Sequence, residues 1–221
     1  MPQLSPDMTV TAIAAELPGA AELFRQRGIN FCCRGNIALS EAAMRAGLLP
    51  DVMIAELQAL ADAAGRDAPE ATPALIDHIL SRYHETHRAE LEWLIPLAQK
   101  VERVHGDHDD APLGLTDALI ALHDDLDLHM RKEEQALFPL MLQGSNPMIV
   151  HPIAQMRHEH DDTARLLAGV EHAAHGLRLP EGACGSWTAL YTGLRKFSED
   201  LVMHMHLENN VLFARFEPAR A

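Results

Sequence analysis

From Thr72 onward, apolar residues recur at spacings of three and four in four long runs, at about 73–105, 115–143, 148–175 and 186–215, the period of helices with one face in a core. The connections, such as GDHDDAPLG and GLRLPEGACG, are about ten residues long, short enough to make successive helices antiparallel neighbours in an up-down four-helix bundle. Pro96 and Pro139 fall inside two of the runs and predict a kink or an early stop in each.

The first 65 residues read as shorter helices punctuated by turn residues. Pro18 is placed to open one and Gly28 to close it; Ser40 is placed to cap another that ends at Gly47, and a third spans about 51–65. In AGRDAPEATP (64–73) glycine, prolines and charges replace the periodic apolar residues, which marks a boundary. No β-branched alternation is evident. The fold class is all-α, with a small helical N-terminal domain over 1–65, a linker over 66–73 and a four-helix bundle over 74–221.

The apolar seams are interrupted by ionisable residues. They read Leu80, His84, His87, Leu91, Leu94, Ala98, Val101 in the first run and Leu119, Leu122, Leu126, His129, Glu133, Leu137, Leu140 in the second. The third reads Ile149, Ile153, Met156, His160, Thr163, Leu167, Val170, and the fourth Leu190, Leu194, Phe197, Leu201, His204, Glu208, Val211. Counted along antiparallel helices from the bundle end where the first begins, His84, His129, His160 and His204 lie in one layer, about 15–21 Å in at ~1.5 Å per residue. Glu133 and Glu208 follow their histidines at i+4, the spacing that stacks two side chains on one helix face.

Buried ionisable groups are costly unless they are paired or bind metal. Four imidazoles and two carboxylates, with no thiolate, suit two first-row divalent ions better than a closed structural zinc. Two glutamates can bridge two irons that each hold two histidines, which leaves positions for solvent, an oxo bridge or a diatomic molecule. The spacing makes His87, one turn beyond His84, a supporting partner or a substitute ligand. His105, near the far end, reads as structural. His158 and His206 fall off the seam and are expected to face solvent, while His108, His123, His151, His172 and His175 lie at helix ends or off the layer.

A net charge of −14 disfavours nucleic acid as a partner. No apolar run approaches the ~20 residues of a membrane span, and the first 15 residues lack a signal-peptide pattern, so the expected location is the cytoplasm. Three cysteines are too few for a disulfide framework, and a vicinal Cys32–Cys33 bond would strain the backbone. Beside Arg34, Cys32 and Cys33 read as candidate reactive thiols or as two small apolar residues. Cys184, alone in the last connection, reads as inert.

HMRKE (129–133) in such a bundle resembles the hemerythrin-like domain, whose second helix carries a His-x-x-x-Glu pair. Ala164 stands four residues after His160, where hemerythrins place a second histidine, and HMHLE (204–208) replaces a His-x-x-x-x-Asp pair; both departures argue against oxygen carriage. In their order, INFCCRG, YHETHR, KVERVHGD, HMRKEEQALFP, EHDD and HLENNVLF resemble the Repair of Iron Centres (YtfE/ScdA) family over nearly the whole chain. The resemblance implies a hemerythrin-like bundle behind a Cys-Cys domain. It also implies two iron ions, oxo- or carboxylate-bridged, held by His84, His129, Glu133, His160, His204 and Glu208.

The implied role is repair of iron–sulfur clusters damaged by nitric oxide or oxidants, by supplying iron without catalytic turnover, with damaged iron–sulfur proteins as partners. Cys32 and Cys33 are then reactive or transiently metal-binding thiols. The alternative at the same site is a sensor or scavenger of nitric oxide or oxygen, or a nitric oxide reductase-like activity. Monomer and homodimer both stay open.

Overall fold

Turn residues set the limits of the first four helices in a computed structural model that describes residues 4–29, 31, 36–64, 66, 68–144 and 147–217. Helix α1 (Val10–Glu16) is capped by Thr9, whose side chain accepts from the Ala12 amide at 3.3 Å. Helix α2 (Ala20–Gln26) starts from Gly19 in the left-handed conformation, φ 81°, so Pro18 stands just outside the helix instead of opening it. Helix α3 (Leu39–Arg45) is preceded by Ala38 as its cap; Ser40, expected there, is already inside the helix. Helix α4 (Pro50–Ala63) begins on a proline, where a missing amide hydrogen costs nothing. Val10, Ile13, Phe24, Leu39, Met53 and Leu57 form the centre of their shared core.

Four long rods follow. Rod α5 (72–105) joins Thr72–Ile79, a π-helical stretch Leu80–His84, and Glu85–His105. Rod α6 (115–142) joins Leu115–Lys132, the π stretch Glu133–Leu137, and Phe138–Leu142. Rod α7 (147–173) is a short 3₁₀ turn, Pro147–Ile149, and Val150–Ala173. Rod α8 (185–215) joins Gly185–His206, the π stretch Leu207–Leu212, and a terminal 3₁₀ turn, Phe213–Arg215. Rod α6 packs against α5 and α7, and α8 closes on α5, the neighbour relations of an up-down bundle.

The helix does not stop at Pro96, which lies within the stretch Glu85–His105. Pro139 follows directly on the π stretch of α6, where the Phe138 amide reaches back five residues to the Glu133 carbonyl. The ladder is already interrupted there, so a residue without an amide hydrogen is accommodated.

Each π stretch adds a residue to one turn, and the seam shifts register there. Leu80, Leu140 and Val211, expected on the seam, are only half buried, while Ile79, Met141 and Leu212 take their places in the core. The ionisable layer divides the bundle interior. One apolar cluster, built on Leu94, Leu122, Leu167, Leu190 and Phe197, lies on its far side. A smaller one, built on Ile79, Phe138, Ile153 and Phe213, closes the near end. Among the described residues no helix is long and apolar enough to cross a membrane.

Trp93 of α5 lies over Gly193 of α8; a Cβ at 193 would fall 2.2 Å from the ring. Gly193→Ala therefore displaces the Trp93 ring and crowds the Leu94 side chain, and lowers stability by about 1–3 kcal/mol. Denaturant titration checks this, and an unchanged midpoint would refute the contact.

The N-terminal helices are tied to the bundle through α2. The Gly19 amide donates to Glu199 Oε2 at 2.9 Å and Arg25 Nη2 donates to Glu199 Oε1 at 3.2 Å. Arg25 Nη1 is 3.7 Å from Glu171 Oε1, which also accepts from Ser198 Oγ at 2.6 Å. Burial pushes both carboxyl groups above the usual range, against the pull of Arg25.

Candidate metal centre

The π stretches supply three of the six side chains in the layer: His84 ends the first, Glu133 opens the second and Glu208 lies in the third. A widened turn rotates the residues it carries relative to a regular helix, and such turns recur at functional sites. His129, His160 and His204 come from regular helix. All six are buried.

Their inward-facing atoms fall into two groups that share both carboxylates. His84, Glu133, His204 and Glu208 form one tetrad, and His129, Glu133, His160 and Glu208 the other. His84 Nε2 and His204 Nε2 are 3.1 Å apart, and His129 Nε2 and His160 Nε2 are 3.0 Å apart. Glu133 Oε2 stands 3.5 Å from both His84 Nε2 and His129 Nε2. Glu208 lies 3.1 Å from His204 Nε2 through Oε1 and 3.0 Å from His160 Nε2 through Oε2.

The outward faces of the rings explain why these atoms converge. His84 Nδ1 donates to Glu134 Oε1 at 2.8 Å, His129 Nδ1 to Glu159 Oε2 at 3.0 Å, and His160 Nδ1 to Asn209 Oδ1 at 2.9 Å. With the proton on Nδ1, a neutral imidazole turns a lone pair inward at Nε2. Lone pairs then face lone pairs and carboxylate oxygens, and among the described residues none of the four oxygens of Glu133 and Glu208 receives a well-aligned hydrogen bond.

A cation satisfies such a set. With bonds of about 2.1 Å, two nitrogens at right angles on one ion sit about 3.0 Å apart, close to both observed separations. The donor set fits two first-row ions, each with two imidazoles and both carboxylates.

Without an ion, protons take up part of this role. Burial pulls His84 down, but Glu133 and Glu208 more than offset it and hold the ring up to about 10. Burial likewise opposes, and Glu133 chiefly supports, a value of about 9 at His129. Burial raises Glu133 and Glu208, yet the facing imidazoles leave both below the ordinary carboxylate range.

Of the other histidines singled out by spacing, His87 is buried against His204, with ring centres 5.3 Å apart, and among the described residues neither of its ring nitrogens has a hydrogen-bond partner. His105 lies at the far end, its Nε2 3.1 Å from the Cys184 sulfur. His158 is exposed, as expected. His206 is not: it is buried where the N-terminal helices cover α8, so its off-seam position meets protein in place of solvent. A cavity of about 740 Å³ opens there, bounded by Glu16, Gln58, Arg157 and His206 and reaching His160 and Asn209. Cys32 and Cys33 lie outside the described residues.

Seam spacing missed Glu134, Glu159 and Asn209. Each is the immediate sequence neighbour of a layer residue (Glu133, His160 and Glu208) and supports a ring on a different helix. A polar residue flanking each seam position was the available signal.

Residues 75–216 match the Hemerythrin HHE cation binding domain, and residues 6–61 match ScdA_N, a domain of unknown function (DUF542). Among curated proteins, the chain is 44% identical over 212 residues to the iron–sulfur cluster repair protein YtfE of Pectobacterium carotovorum, covering 95% of this chain and 96% of that one. YtfE of Pectobacterium atrosepticum is 44% identical with the same coverage. YtfE of Escherichia coli O1:K1 is 43% identical over 213 residues, again 95% and 96% of the two chains.

Proposed function

The chain belongs to the YtfE family and carries its hemerythrin HHE domain, and from that membership we propose that it repairs iron–sulfur clusters damaged by nitrosative or oxidative stress, by donating iron from a di-iron centre. The observation that carries this reading is the pair of tetrads sharing Glu133 and Glu208. His84 and His204 would hold one iron and His129 and His160 the other, with Glu133 and Glu208 common to both groups. Bound iron supplies a redox-active centre with open coordination positions and is itself the cargo.

The chain's own residues do the rest. Glu134, Glu159 and Asn209 orient the rings, and the two apolar clusters exclude bulk water from the layer. Donation requires a layer that can let go, and a set without thiolate anchors has that property. We assign residues 1–65 to a client-facing Cys-Cys domain, 66–73 to a linker and 74–221 to the iron-holding bundle. Cys32 and Cys33 act as thiols in the transfer.

The test is iron transfer without oxygen. The iron-loaded protein is mixed with a nitric-oxide-damaged [4Fe–4S] hydratase while recovered activity and iron lost from the bundle are both followed. The expected result is recovery matched by loss of bundle iron. Cys32→Ala with Cys33→Ala is expected to retain iron and to lose most of the recovery; full recovery with that variant would remove the thiols from the mechanism. The cavity reaching His160 favours, as a second reading, access for a small molecule to the same centre. Iron that stays bound while its spectrum responds reversibly to nitric oxide would make the protein a sensor or scavenger.

A further inference from the structure

The four imidazoles of the layer are not supported alike, and the difference falls between the two tetrads. His84 Nδ1 donates to Glu134, itself held by Arg88 Nη1 at 2.8 Å. His129 Nδ1 donates to Glu159, which Lys132 and Gln155 hold at 2.8 and 3.0 Å. His160 Nδ1 has a neutral acceptor, Asn209 Oδ1. Among the described residues His204 Nδ1 has no hydrogen-bond partner. Its ring stacks on Tyr83 at 5.5 Å with planes 6° apart, lies tilted against His87 at 5.3 Å and meets the edge of His84 at 4.8 Å.

A hydrogen bond from the outer ring nitrogen fixes the tautomer and orientation of a metal-binding histidine and raises the basicity of the inner nitrogen, most of all when the acceptor is a carboxylate. The His129/His160 tetrad has two supported rings, one of them on a carboxylate. The His84/His204 tetrad has one. The bridging carboxylates do not compensate, because Glu133 Oε2 is 3.5 Å from His84 and from His129, and Glu208 approaches His204 and His160 to 3.1 and 3.0 Å.

We propose that the two halves of the centre are inequivalent by construction: the His84/His204 half is the exit half, which gives up its ion first because His204 is the least anchored ligand, and the His129/His160 half retains its ion. This rests on the di-metal reading of the layer and names which part of it is the donor. Glu134 and Glu159 are positioning residues that set the two rates separately.

The test loads the full chain with two equivalents of cobalt(II) or ferrous ion under anaerobic conditions, then adds excess chelator and follows the metal-dependent absorbance. Loss in two phases of one equivalent each is expected, separated by about 10–100-fold, the usual effect of an outer partner on metal affinity. Crystals taken after the first phase should show one anomalous peak, between His129 and His160. Glu159→Gln should speed the slow phase by about tenfold or more and leave the fast one in place, and Glu134→Gln should speed the fast phase alone.

A residual peak between His84 and His204 overturns the proposal, as does a single phase releasing both ions or a Glu159→Gln variant that affects only the fast phase. A chain that never takes up two ions removes the di-metal reading as well, whereas two ions leaving together removes only the inequivalence.

Discussion

Glu208→Leu leaves the chain less stable and unable to retain iron. Glu208 belongs to both tetrads, so its loss removes a ligand from each ion at once, and the expected fall in affinity exceeds the ~10–100-fold that outer partners cause. Metal-free stability should fall as well, by about 3–5 kcal/mol, because Glu208 faces His204 and His160 at 3.1 and 3.0 Å and helps to hold His84 protonated, and removing one partner of a buried charge pair leaves the other uncompensated. The stabilisation that metal confers should disappear: an ion at 100 times its Kd adds about 2.7 kcal/mol to the native protein, and the variant cannot receive it. Thermal melts with and without cobalt(II), together with metal content after desalting, measure both effects. A variant that still melts higher with metal and retains two equivalents would show that Glu208 does not bridge. Glu208→Gln, which keeps the shape and loses the charge, separates packing from coordination.

Arg25→Met should loosen the N-terminal helices from the bundle without emptying the metal layer. Arg25 spans the junction: it donates to Glu199, approaches Glu171 and lies over the Phe31 ring, 5.6 Å from its centre. Phe31 directly precedes Cys32, so the same guanidinium connects the approach to the cysteines with α7 and α8. Removing one member of a fully buried ion pair costs about 3–5 kcal/mol. Glu199 retains 29% of its side-chain exposure, which lowers the expected loss to about 2 kcal/mol. Hydrogen exchange is the measurement. Amides of α1 and α2 should lose about thirtyfold in protection, while those around His129 and His160 keep theirs and metal content holds at its original value. Equal protection in both chains would mean that apolar contact alone seats the N-terminal helices.

The rods and the height of the polar layer were legible in the sequence because both follow from local spacing. A helix repeats every 3.6 residues, so a histidine at a leucine position is visible without knowing its partner, and antiparallel counting puts His84, His129, His160 and His204 at one level. The seams then failed at Leu80, Leu140 and Val211 for a physical reason: a π turn inserts one residue and rotates everything beyond it, and fixed spacing contains no signal for that insertion.

What the sequence by itself determined is therefore the all-α class, the four rods and the set of ionisable side chains brought to one layer, since each depends on periodicity within a single helix. What only the tertiary structure decided depends on distant contacts: Glu134 behind His84, 50 positions away, Arg25 against Glu199 across 174, the burial of His206, and the want of a partner among the described residues at His204 Nδ1. Periodicity says which face of a helix is turned inward. Which atoms it meets there is settled only when the other helices, each with its own register shift, are packed against it.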